Sequence, residues 1–130
     1  MARLAFLVMA LLAWTAVSPP VHAADVRPFD QAAFVAAETA GKPILIAIHA
    51  GWCPVCAKQR PILSQLEQQP AFKDLVVFMV DFDSQKPAVA AMAAHKQSTL
   101  IVFHGKDERA RSVGDTNPAS IQQLLTKALS

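Results

Sequence analysis

The segment from Pro43 to Ile48 constrains the fold most strongly, because it is a continuous apolar run rich in β-branched residues. A strand of this kind is typically buried on both faces by helices. We therefore place it at the centre of a sheet in an α/β protein. The chain has 130 residues, of which 53% are hydrophobic and 17% charged. This is enough apolar material for one compact domain.

The pattern on either side of this strand predicts an alternation of helices and strands. Helices are expected over residues 30–40, 53–68, 86–95 and 119–129, and strands over 75–81, 99–104 and 109–113, the last two forming a hairpin. The closing helix has an apolar face of Ile121, Leu124, Leu125 and Leu129. Residues 24–29 have no strong periodicity and are expected to form a leader. The order predicts a mixed central sheet of about four strands, parallel in its first part, with helices on both faces.

The first 23 residues have the layout of a secretory signal peptide. Arg3 precedes an apolar stretch from Leu4 to Val17, and small residues occupy the positions before a cleavage site after Ala23. The alternative is an uncleaved anchor, but a spanning helix needs about 20 apolar residues, more than this stretch provides. We therefore expect residues 1–23 to be removed, and residues 24–130 to form a single domain in the periplasm without a stable membrane anchor.

The charged residues argue against nucleic acid as a partner. Twelve basic and ten acidic residues give a formal net charge of +2, and they are scattered singly along the chain. No run of like charge could follow a phosphate backbone. Oligomeric state has no signal in the sequence, and a monomer is the default expectation.

The two cysteines of the chain, Cys53 and Cys56, carry its most distinctive chemistry. They lie three positions apart at the predicted start of a helix, in a chain expected to reach a compartment where disulfides form. The unpaired N–H groups of the first helical turn favour a thiolate at Cys53. Cys53 would then be the nucleophile of disulfide exchange, and Cys56 would resolve the mixed disulfide. No bound cofactor is required.

Other interpretations of the cysteine pair remain open. A purely structural disulfide is one, although so small a loop would constrain the unfolded chain by only about 2 kcal/mol. A second is a copper or zinc site formed by Cys53, Cys56 and His49. A third is a redox-inert adaptor that keeps the fold and binds partners without exchange.

Several motifs in order along the chain resemble the thioredoxin superfamily. Residues 50–56 (AGWCPVC) follow an apolar strand, residues 99–103 (TLIVF) form a later strand, and Val113-Gly114 precedes the last helix. Gly41-Lys42-Pro43 resembles the periplasmic, thioredoxin-related branch. The resemblance implies a thioredoxin-like fold and exchange with exported proteins that carry thiols or disulfides, together with a redox partner that regenerates the pair. It also implies a substrate-binding face made by Trp52, Pro54, Val55, Ser98, Thr99 and Gly114.

The chain departs from that family at three positions. Ser98 stands where a cis-proline usually precedes the Thr-Leu strand, so the Gln97–Ser98 peptide bond is expected to be trans. Ala47 and Met79 stand where thioredoxins carry a buried acid and a lysine. The sequence therefore offers no internal base for Cys56, and His49 and His95 are the only substitutes it suggests.

Overall fold

The computed structural model describes residues 17–18, 20 and 23–130, which form an α/β fold. Most of the predicted signal peptide, residues 1–16, 19 and 21–22, lies outside the described residues. The strands are β1 (Asp25–Pro28), β2 (Pro43–His49), β3 (Val76–Asp81), β4 (Thr99–His104) and β5 (Asp107–Val113). The helices are α1 (Gln31–Thr39), α2 (Pro54–Glu67), α3 (Lys86–Ala91) and α4 (Pro118–Thr126), with short 3₁₀ turns at Pro70–Phe72 and Lys127–Leu129.

The sheet has the strand order β1-β3-β2-β4-β5, with β2 at its centre as predicted. β3 pairs in parallel with both β1 and β2, whereas β4 is antiparallel to both β2 and β5. Because β2 is bordered on both sides, all its backbone groups can pair while its side chains face the two helical layers. The predicted change from parallel to antiparallel pairing is confirmed.

Alternate residues of the central strands build two separate cores. Ile46 on β2, Phe78 on β3 and Ile101 on β4 face α1 and α3. Leu45 and Leu100 point to the opposite side, where they pack against α2 and α4. Both faces of the sheet are therefore covered by helices, which is why the β2 sequence is apolar throughout rather than alternating.

Strand β1 corrects the prediction of a leader over residues 24–29, and it raises the strand count from about four to five. The Asp25 N–H donates to the Leu75 carbonyl at 3.0 Å, and the Phe29 N–H donates to the Met79 carbonyl at 2.8 Å. All four β1 side chains are exposed, so no apolar alternation marks the strand in the sequence. Pro28 is tolerated because β1 lies at the sheet edge.

Two helix ends also differ from the prediction. Helix α3 ends at Ala91 instead of His95, and Ala93 adopts a left-handed φ of 49°. The alanine-rich sequence favours a longer helix, but the chain must turn here to bring Ser98 back to the sheet. Helix α4 tightens into a 3₁₀ turn after Thr126, which buries Ala128 completely and leaves Leu129 37% exposed. Placing Leu129 on the apolar face was therefore wrong.

Within the part of the chain that the structure describes, none of the helices has both the length and the apolar character needed to cross a bilayer.

Candidate functional site

The site begins where β2 ends and the chain turns into α2. The Cys53 N–H donates to the Ala50 carbonyl at 3.1 Å, which closes the turn. Cys53 then serves as the N-cap of α2, and Pro54 occupies the first turn, where a missing N–H costs nothing. The Cys53 sulfur accepts a hydrogen bond from the Cys56 N–H at 3.2 Å. A helix N-terminus therefore faces this sulfur, as the sequence predicts.

Cys56 lies one helical turn further along and faces the same space. Both cysteines are free thiols in this structure. Cys53 is 3% exposed and Cys56 is 8% exposed. Ala50 and the half-buried Phe82 pack around the pair. The site is thus a dithiol with little direct contact with water.

Ser98, from the loop before β4, lies between the two sulfurs. Its Oγ is 3.1 Å from the Cys53 Sγ and 3.0 Å from the Cys56 Sγ. Ser98 is 3% exposed and has a left-handed φ of 62°, which is unusual for a residue other than glycine. The described peptide bonds are all trans, so the expected trans bond before Ser98 is confirmed.

Backbone and side-chain hydrogen bonds fix Ser98 in this position. Its N–H donates to the Ile48 carbonyl at 2.8 Å, and its carbonyl accepts from the Gly114 N–H at 2.9 Å. The buried Gln59 amide donates to the Ser98 carbonyl at 3.2 Å and to the Asp115 carbonyl at 2.8 Å. One α2 side chain therefore links the loop before β4 to the loop after β5.

The environment separates the pKa values of the two thiols. Burial by itself raises the pKa of Cys53, but hydrogen bonds from the Cys56 and Ser98 side chains and from the Cys56 and Val55 backbone outweigh burial and lower that pKa. Burial and the hydrogen bond to Cys53 raise the pKa of Cys56, against opposing hydrogen bonds from Ser98 and the Ala50 backbone.

An apolar surface surrounds the buried dithiol. Trp52 is 62% exposed, Val55 37% and Val113 56%, and Pro54 and Gly114 are also exposed. The Trp52 indole N–H donates to the Asp83 carboxylate at 2.7 Å, which ties the ring to the turn after β3.

Two residues of the predicted substrate-binding face, Ser98 and Thr99, have buried side chains. Thr99 is 1% exposed, and its hydroxyl donates to the Lys96 carbonyl at 2.6 Å, so the prediction of a surface role for its side chain is wrong. The Ser98 side chain points inward to the sulfurs and not outward to a partner. Both residues precede or begin a strand, and their burial depends on the β2–β4 pairing, which the sequence alone does not give.

A cavity of about 200 Å³ opens beside the dithiol, lined by His49, Ala50, Gly51, Cys53, Cys56, Ala57, Arg60 and Met79. Ala47 and Met79 lie opposite each other in the β2–β3 register. Arg60 donates through Nη1 to the Met79 sulfur at 3.2 Å and through Nη2 to both oxygens of the buried Glu67 carboxylate at 2.6 and 2.7 Å. An arginine–glutamate pair therefore lies near the place where the resemblance leads one to expect an acid and a lysine.

The predicted metal ligands do not form a ligand set. His49 borders the same cavity as the cysteines, but the described residues contain no group of three or more His, Cys, Asp or Glu side chains arranged to hold a metal. His95 is exposed on the loop after α3, and it lines a different cavity. Neither histidine contacts a sulfur among the hydrogen bonds of the described residues.

Comparison with known proteins bears directly on this dithiol. The Redoxin family model matches residues 18–129 of the chain. This chain belongs to the Redoxin family, within the thioredoxin superfamily. A thioredoxin of Bacillus subtilis (strain 168) is 28% identical over 106 residues, which cover 82% of this chain and 99% of that protein. A thioredoxin of Chlamydia trachomatis serovar D is 30% identical over 65% of this chain and 80% of its own length.

Solved structures agree with this membership. Trxlp from Edwardsiella tarda EIB202 shares 43% identity with a TM-score of 0.77, covering 78% of this chain and 99% of that structure. A thioredoxin from Malassezia sympodialis has a TM-score of 0.71 at 20% identity, covering 83% of this chain and 95% of its own, and shows the fold alone. The predicted thioredoxin-like fold is confirmed. As a redoxin with a dithiol pair, the protein is a thiol-disulfide oxidoreductase that acts on thiol or disulfide substrates.

Gln59 and Asp83 are site residues that sequence reasoning missed. Gln59 lies three residues after Cys56, so it shares the buried side of α2, and a polar residue in that place could have been noticed. Asp83 contacts Trp52 across a separation of 31 residues, and nothing in the local sequence indicates that contact.

Proposed function

We propose that the protein is an exported oxidoreductase that exchanges disulfides with other exported proteins, with Cys53 as the nucleophile and Cys56 as the resolving thiol. The observation that carries this proposal is the asymmetry of the pair. The Cys53 sulfur caps a helix and has a lowered pKa, while the neighbouring Cys56 has a raised pKa. Since the thiolate is the attacking species, the first attack falls to Cys53.

The exchange proceeds in two displacements. The Cys53 thiolate attacks one sulfur of a partner disulfide, so that a mixed disulfide forms and the partner releases a thiolate. Cys56 then loses its proton and attacks the Cys53 sulfur, which closes the Cys53–Cys56 disulfide and frees the second partner sulfur. Two electrons pass to the partner. The same steps in reverse oxidise a dithiol partner, and a second redox protein restores the starting form.

The exposed apolar side chains of Trp52, Val55 and Val113, which we call the apolar rim, supply a docking surface for a protein substrate. Trp52 and Val55 neighbour the cysteines along the chain, Val113 pairs with Thr99 next to Ser98, and all three expose apolar area while the dithiol itself is buried. A partner segment lying across this rim would cover the apolar side chains and bring its own sulfur to Cys53. A folded partner with a recessed disulfide would fit less well than an extended segment.

Export is the part of this proposal that depends on the amino-terminal segment. The basic residue, the apolar stretch and the small residues before Ala24 support a signal peptide cleaved after Ala23. Expression of the full chain in a Gram-negative bacterium, followed by periplasmic extraction and amino-terminal sequencing, should give Ala24 as the first residue. Retention of the unprocessed chain in the membrane fraction would contradict a cleaved signal.

Trapping of partners tests the exchange itself. In the exported full chain, Cys56→Ser should leave the mixed disulfide unresolved, so that adducts through Cys53 accumulate with exported proteins. Acid quenching, alkylation of free thiols and non-reducing gels would reveal these adducts, and mass spectrometry would identify them. The matched control is the double variant Cys53→Ser/Cys56→Ser, which should form no adduct. A redox-inert adaptor would form none in either variant, which would overturn the proposal.

A further inference from the structure

The second displacement needs a group that favours the Cys56 thiolate, and no free carboxylate in the site does this. Cys56 must lose its proton before it can attack, yet its pKa is raised. Ala47 offers no carboxylate on β2, and the Glu67 carboxylate is already paired with Arg60. Another group must therefore make the Cys56 thiolate accessible during the second displacement.

The Ser98 hydroxyl has the geometry for this task. It lies within 3.1 Å of both sulfurs and is almost completely buried. A hydroxyl has one donor hydrogen and two acceptor lone pairs, so it can donate to one sulfur while it accepts an S–H bond from the other. Three hydrogen bonds to the Ser98 backbone hold the residue in place, so rotation of the hydroxyl hydrogen alone is enough to redirect the donor from one sulfur to the other.

We propose that the Ser98 hydroxyl is a catalytic, switchable hydrogen-bond donor, which donates to the Cys53 sulfur in the reduced protein and to the Cys56 sulfur once Cys53 is in a mixed disulfide. This inference rests on the exchange proposed above. It gives Ser98, which replaces the usual proline, a role in the chemistry instead of in substrate docking.

The protons and electrons of this sequence balance. Before reaction, Cys53 is a thiolate that accepts from the Ser98 hydroxyl and from the Cys56 S–H. Attack by Cys53 consumes its negative charge and releases a partner thiolate, which takes up one proton through solvent as Cys56 loses one. The hydroxyl then rotates to donate to the new Cys56 thiolate. Closure of the Cys53–Cys56 disulfide releases the second partner sulfur as a thiolate, and two electrons have moved to the partner.

The two sulfurs depend on Ser98 to different degrees. Cys53 also accepts from the Cys56 and Val55 backbone, whereas Cys56 has the Ala50 backbone as its other donor. The charged or titratable groups around the pair are His49 from β2 and Arg60 from α2, which line the adjoining cavity, and Asp83, which is bonded to Trp52. None of them lies between the sulfurs, so loss of the hydroxyl should affect Cys56 more than Cys53.

A single-turnover reaction with dipyridyl disulfide separates the two displacements. The reduced protein should release one equivalent of the absorbing pyridinethione when Cys53 attacks and a second when Cys56 resolves the adduct. Both Ser98→Ala and Ser98→Gly should slow the second phase about tenfold and the first about threefold or less. A hydrogen bond to a charged group is worth at least a tenfold effect, which the higher nucleophilicity of a more basic thiolate partly offsets.

The two variants guard against an effect of the loop backbone. Glycine adopts the left-handed φ of Ser98 more easily than alanine, so their stabilities should differ while their kinetic defects agree. The matched control is Ser112→Ala, because the buried Ser112 hydroxyl has no hydrogen-bond partner among the described residues. This variant should behave like the unmodified protein.

The outcomes distinguish this inference from the proposed function. If the unmodified protein releases no second equivalent, the exchange through Cys53 and Cys56 fails. If it releases both but Ser98→Ala and Ser98→Gly leave the second phase unchanged, or slow both phases equally, the role of Ser98 is wrong and the exchange stands.

Discussion

The middle and the carboxyl end of strand β2 differ in the kind of side chain that they bury. In the middle, Ile46 faces Phe78 and Ile101 across the sheet, and all three side chains are fully buried among apolar neighbours. Just beyond the end, two buried thiols meet a buried serine hydroxyl, whose oxygen lies 3.1 Å from one sulfur and 3.0 Å from the other. The middle of the strand stabilises the fold through apolar burial, whereas its end holds polar groups that ordinary packing would exclude.

This difference shows that stability and thiol reactivity depend on different kinds of interaction in the two regions. Burial of apolar side chains is insensitive to small changes in direction, because it depends on contact area. The site instead depends on directional hydrogen bonds to sulfur and on a serine backbone at a positive φ. Substitutions in the two regions should therefore separate stability from thiol chemistry.

The largest expected effect on stability comes from the middle of the sheet. Phe78→Ala should lower the free energy of unfolding by about 3–5 kcal/mol, because it leaves a cavity beside Phe29 and Phe34, whose rings lie 6.0 and 5.8 Å from the Phe78 ring. Denaturant unfolding measures this loss, and Val35→Ala on the exposed side of α1 is the control. The rate of exchange in the protein that remains folded should not change. A large change in that rate would show that the two regions are not separate.

A smaller effect is expected where the two regions meet, at Gln59. Gln59→Ala removes the amide that holds the Ser98 and Asp115 carbonyls, and it should cost about 1–2 kcal/mol of stability. It should also slow the second phase of the dipyridyl disulfide reaction, because the hydroxyl is no longer held firmly between the sulfurs. The exposed Gln65 on the same helix provides the control Gln65→Ala. Equal kinetics in the two variants would mean that Gln59 serves stability alone.

The smallest effect on stability is expected at the rim of the site. Asp83→Ala removes the acceptor of the Trp52 indole, and it should cost less than about 1 kcal/mol because the pair is exposed. The freed ring should change the fluorescence of protein produced from Ala24 onward, in which Trp52 is the only tryptophan. We expect KM to rise for a protein disulfide and to stay constant for dipyridyl disulfide, with Asp74→Ala as the control. An equal rise for both substrates would place Asp83 in the chemistry instead of in docking.

Local patterns in the sequence were enough for the regular part of the fold. The apolar run of β2 placed the strand at the centre, and the helix expected over residues 30–40 forms as α1, which Asp30 caps with a carboxylate that accepts from the Ala33 N–H at 2.8 Å. Strand β1 could not be predicted in this way. It is held by backbone hydrogen bonds at the sheet edge, and its exposed side chains leave no periodic signal.

The site was only partly predictable for a related reason. Cys53 and Cys56 can be recognised from their spacing and their position at a helix start, which are local features. The inward direction of Ser98 and the contacts of Gln59 and Asp83 arise from loops that meet only in the folded chain. The resemblance pointed to Ser98 but implied contact with a partner, because the family's proline has no hydroxyl to offer the sulfurs.

The pH dependence of alkylation at each cysteine tests the asymmetry of the pair most directly. Reduced protein would receive short pulses of iodoacetamide across a pH series. Trypsin would then release one peptide that ends at Lys58 and carries both cysteines, because the Arg27–Pro28 and Lys42–Pro43 bonds resist cleavage, and fragment ions would locate the label. Because the pKa of Cys53 is lowered and that of Cys56 raised, Cys53 should reach half-maximal reactivity below the ordinary thiol range and Cys56 above it. Coincident midpoints, or a lower midpoint at Cys56, would contradict the assignment of Cys53 as the nucleophile.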